Sequence, residues 1–90
     1  MTRSRVHSIE LPLGRVVLCA DAEVERLNPV KTRTVITEVV VLFDGMDVYE
    51  QSERLGWQLP RSTIDGFVST VEAMLREKVM EEAVRLDEGR

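Results

Sequence analysis

The stretch from Ser62 to about Leu86 is the only part of this chain that can form a long helix, and the rest must be arranged around it. Pro60 keeps Leu59 out of the helical region. Ser62 then offers a side chain to the free amides of the first turn, with Asp65 three residues on as a short capping-box acid. Ile64, Phe67, Val68, Val71, Met74, Leu75 and Val79 recur at spacings of three and four, which lays them along one apolar face. Glu72 with Arg76, Lys78 with Glu82 and Glu81 with Arg85 add support at i,i+4. Gly89 provides a terminator.

Two features of this helix carry information about assembly. At 1.5 Å per residue it would be roughly 37 Å long. A compact chain of this size has a radius of gyration of about 12 Å, so the helix is expected to overhang its own domain or to break. The apolar stripe also changes face: Lys78 and Glu82 follow Leu75 on the original side, whereas Met80, Ala83 and Val84 lie well round the cylinder. Either the last turns bend or fold back, or they pack on another chain, as small domains often require. The second reading makes Met80, Ala83 and Val84 candidate interface residues.

The first half reads as strands. Arg5 to Leu11 alternates, with His7, Ile9 and Leu11 on one side. Leu11 to Gly14 is a turn, and Arg15 to Ala20 is a strand apolar on both faces. Asp21 to Leu27 is expected to form a short helix capped by Asp21 and ended by Asn28-Pro29, or a loop of the same length. Thr32 to Phe43 is dense in β-branched residues and, as an aggregation hazard at an edge, should be central or covered. Asp44-Gly45 favours a type I′ turn, with Met46 to Glu50 pairing back as a short edge strand and Gln51 to Gly56 a polar connection. The expected fold is α+β in a single domain. Residues 1–4 form a loose end, residues 5–50 an antiparallel sheet of about four strands in two hairpins, and residues 62–86 a C-terminal helix on one sheet face, with the short helix between the hairpins.

No stretch carries a catalytic, metal or nucleotide motif. His7, the only histidine, has no sequence neighbour able to orient it or be activated by it, and reads as an ordinary strand position. Cys19 sits in an apolar strand and reads as core; a single cysteine excludes an internal disulfide. Asp44 and Asp47 flank a turn and lack the further oxygens that a calcium loop needs, and one Cys with one His cannot make a zinc site. The five glycines are scattered and form no phosphate loop. No cofactor is expected.

Charge separates the halves. Residues 1–45 carry six basic and six acidic side chains, residues 46–90 six and ten, for a net charge of −4. That balance argues against a generic nucleic-acid binder. The exception is a basic edge at Arg3, Arg5 and Arg15, with Lys31 and Arg33, in which the first hairpin brings Arg5 near Arg15. Trp57 is expected to close one end of the core above Ile64 and Phe67, or else, with Leu59, to anchor an interface. No segment reaches transmembrane length, Glu10, Pro12 and Arg15 interrupt any signal-peptide core, and the cytoplasm is the default compartment. The expectation is a non-enzymatic interaction or assembly subunit, a homodimer or larger, contacting its partner through Met80, Ala83, Val84, Trp57 and Leu59. A small nucleic-acid-binding regulator using Arg3, Arg5 and Arg15 is the alternative.

Overall fold

The computed structural model describes residues 3–28 and 30–89. Its elements are β1 (Arg3–Leu13), β2 (Val16–Asn28), β3 (Lys31–Phe43), β4 (Met46–Asp47), α1 (Val48–Leu55) and α2 (Arg61–Glu88). The strands form one antiparallel sheet in the order β1-β2-β3-β4, and α2 crosses β1, β2 and β3 on one face. This is the α+β architecture expected. The looseness expected of residues 1 and 2 lies outside the described residues, whereas Arg3 and Ser4 are paired in β1 with Arg26 and Glu25. Pro29, expected to end a helix, is likewise outside them.

The largest departure from expectation is β2. Asp21 to Leu27 is strand, paired to β1 on one side and β3 on the other. The reason is a period of two: Leu18, Ala20, Ala22 and Val24 are buried, while Cys19, Asp21, Glu23 and Glu25 between them are not. Alternation over eight residues selects a strand over a capped helical turn. The chain does contain a short helix, but it is α1, where an edge strand and a polar connection were expected. Asp47 ends β4 by turning its carboxylate onto the Tyr49 amide at 2.8 Å, an N-cap that opens α1. Gly56, in the left-handed region at φ 60°, closes it.

Thirteen-residue strands are long, about 43 Å at 3.3 Å per residue. The 28-residue α2 spans about 42 Å, so helix and sheet match in length. The molecule measures 51 × 21 × 18 Å with a radius of gyration of 15.4 Å. The helix therefore neither overhangs nor breaks, because the body it lies on is elongated.

It starts one residue earlier than expected. The Pro60 carbonyl accepts from the Thr63 amide at 2.9 Å, and Ser62 makes no cap. Its buried positions are Ile64, Val71, Leu75, Val79, Ala83 and Asp87. From Val71 onward they step by four, so at 100° per residue the stripe rotates by about 40° each time and follows the twisted sheet. This resolves the change of face without a bend. It also leaves Phe67 and Met74, expected in the core, 40% and 64% exposed.

The β1–β2 and β3–β4 turns have two residues each. Asp44 and Gly45 have φ of 51° and 81°, the type I′ signature expected. A bulge interrupts β3: Asp21 pairs with Glu38 and Ala22 with Ile36, leaving Thr37 as the extra residue, its hydroxyl donating to the Asp21 carbonyl at 3.2 Å.

Candidate functional site

Three places on the α2 side of the sheet concentrate side chains with something to do. The first is a buried polar cluster that sequence reasoning missed. The sheet register places His7 beside Ala22, next to the last turn of α2. His7 Nε2 lies 3.0 Å from Asp87 Oδ1, and Arg26 Nε donates to Asp87 Oδ2 at 2.6 Å. A carboxylate only accepts, so Nε2 carries the proton. Asp87 is 3% exposed. The His7 hydrogen bond, and after it the Arg26 contact, hold its carboxyl below the usual value against the opposing pull of burial. Asp87 does therefore orient His7, from 80 residues away. The only hydroxyl adjacent in sequence, Ser8, points to the other sheet face and donates to Asp21 at 2.9 Å. The cluster ties His7 and the Arg26 guanidinium to the end of α2, where the helix dipole is negative, and reads as a clamp. One signal pointed to it: Asp87 continues the four-residue series Val71, Leu75, Val79, Ala83.

The second is an apolar groove of about 270 Å³ at the start of α2, lined by Phe43, Val48, Trp57, Leu59, Ile64 and Phe67. Gly56 and Gln58, both with positive φ, turn the chain so that Trp57 meets Phe43 edge-to-face, centroids 5.9 Å apart at 77°. Arg15 lies over the Phe43 ring, 5.1 Å from its centroid, and its Nε donates to Asp44 at 2.8 Å. Trp57 thus lines this groove beside Val48 and Ile64, and Leu59, 47% exposed, forms the rim.

The third is a channel of about 490 Å³ between the start of β3 and the last turns of α2, lined by Thr32, Thr34, Met80, Val84 and the rim residues Glu81, Arg85 and Glu88. Met80 and Val84 are half-buried there, in line with their expected place off the main stripe. Ala83 is not with them. It is fully buried against the chain's own sheet and takes no part in an outer surface.

The arginines expected to act together are apart. Arg5 pairs with Val24, whereas Arg15 sits in the β1–β2 turn, about 33 Å away along the strand. Arg3 and Arg5 flank the α2 C-terminus, and Arg15 is bound to Asp44 at the far end.

Cys19 is also displaced from expectation. It points to the uncovered sheet face, and burial together with the Glu10 charge pushes its thiol up, away from the reactive thiolate. Asp44 is taken by Arg15 and Asp47 by the α1 cap, and no group of three His, Cys, Asp or Glu side chains able to hold a metal occurs among the described residues. No described helix is long and apolar enough to cross a membrane.

No family model, curated protein or solved structure matches this chain, so any functional reading rests on the residues and geometry above.

Proposed function

We propose that the chain is a non-enzymatic assembly subunit that associates with a second copy of itself along the Met80 and Val84 side of α2. The supporting observation is the channel beside β3: two apolar side chains of α2 face outward across Thr32 and Thr34, where the chain's own sheet stops short of them. Its rim alternates Glu81, Arg85 and Glu88, so a copy related by a two-fold axis presents opposite charges to it.

The test is light-scattering mass on a sizing column at two protein concentrations, for a chain of 10.3 kDa. Met80→Glu combined with Val84→Glu is expected to leave the circular dichroism spectrum unchanged and to lower the particle mass. A mass that does not move would remove the basis of this reading.

A further inference from the structure

We infer that β3 is the pairing edge of this assembly, adding to β3 of a second copy in antiparallel fashion to make one continuous sheet. The inference rests on the self-assembly reading above and specifies its geometry.

The sheet has two edges, and they differ. On the β4 side, β3 is paired only at Leu42 and Phe43, with Asp47 and Met46. From Lys31 to Val41 it has β2 on one side and no described strand on the other. The two-residue turn at Asp44–Gly45 sets the hydrogen-bonding alternation, and the bulge at Thr37 shifts it by one. Thr32, Thr34, Ile36 and Val39 consequently aim their N–H and C=O groups away from β2. Unpaired groups in an extended row are a template for another strand. β1, the opposite edge, carries Arg3, Arg5, Glu10 and Pro12, the residue types that blunt an edge. β3 has no charge between Arg33 and Glu38, and four of its residues there, Thr34 to Thr37, are β-branched.

The pattern on β3 is complementary to itself. Arg33 and Glu38 lie on the uncovered sheet face, one on each side of the bulge. An antiparallel partner centred on Val35, with Thr37 of each copy left as the bulged residue, sets Arg33 of each copy against Glu38 of the other. Parallel pairing in register would set like charges together, which is unfavourable. The same two-fold axis brings both α2 helices to one face of the joined sheet, flanking the seam. Thr32, Thr34, Met80 and Val84 of each copy then line the space between the helices, so the channel and the edge form one surface.

The decisive experiment compares two proline variants by particle mass. Thr34→Pro removes an outward N–H without touching the β2–β3 ladder and is expected to halve the mass with circular dichroism unchanged. Val6→Pro does the same on β1, where Val6 N–H points outward, and is expected to leave the mass unchanged. In the wild type, the Thr32, Thr34 and Ile36 amides should exchange with solvent at least about tenfold faster on dilution below the dissociation constant. A dimer that survives Thr34→Pro, with no slowed exchange at those amides, overturns edge pairing. If that dimer is still lost in the Met80→Glu, Val84→Glu double variant, self-assembly stands and only its geometry is wrong. A wild-type monomer at every concentration overturns both. If Thr34→Pro does not fold, the wild-type exchange pattern decides alone.

Discussion

Asp87, in the last turn of α2, is bound to His7 near the start of β1 at 3.0 Å, across a separation of 80 residues in the chain. With Arg26 on β2 bonded to the same carboxylate, the first strand, the second strand and the end of the helix meet at one buried group. Asp87→Ala leaves two donors without an acceptor in a buried setting, and the expected cost is about 3 kcal/mol of unfolding free energy. Urea denaturation checks the magnitude. Hydrogen exchange should show the loss first in the last turns of α2, because among the described residues those turns make no other polar tie to the sheet.

The same cluster has a pH signature of known sign. The folded-state value of Asp87 lies below its unfolded value, so the ionised form stabilises the fold. That contribution is complete above the ordinary carboxylate range and is lost as pH falls through the depressed folded value. Stability measured from neutral pH into acid should therefore drop more steeply for the wild type than for Asp87→Asn. Parallel acid slopes for the two proteins would contradict the ion pairing.

Ala83 and Met74 make a paired test of which helix face is covered. Ala83 is fully buried between α2 and the sheet, and Ala83→Leu should overpack it at a cost of about 2 kcal/mol. Met74 is 64% exposed, so Met74→Gln should fall within about 0.5 kcal/mol of wild type. Thermal melts of the two variants give the comparison directly.

Trp57 and Leu59 are separated by one residue but differ in role. Trp57→Ala removes the edge-to-face partner of Phe43 and opens the core at Val48 and Ile64, with an expected loss of about 3 kcal/mol. Leu59→Ser trims only the rim and should cost under about 1 kcal/mol. As the sole tryptophan, Trp57 also reports on itself. Its fluorescence should be only partly accessible to acrylamide in the wild type and more accessible in Phe43→Ala.

Local signals alone determined much of this protein. The spacing from Ile64 to Val79 produces a helix, Asp44-Gly45 a type I′ turn, and the β-branched run from Thr32 to Phe43 a strand, because each depends on neighbours within one turn or one pleat. The place of Met80 and Val84 off the apolar stripe was legible as well, from their spacing alone. Tertiary structure decided the rest. Asp21 to Leu27 has both a helix-capping signal and a two-residue alternation, and pairing on both sides settled it as strand. Ala83 went to the core and Met74 to solvent because α2 follows a twisted sheet in four-residue steps, a rotation set by the sheet rather than by the helix. Arg5 and Arg15 were separated by a register that only the full-length hairpin defines. The His7–Asp87 bond joins residues from the two ends of the chain, and no local pattern encodes a contact whose geometry exists only after helix and sheet have packed.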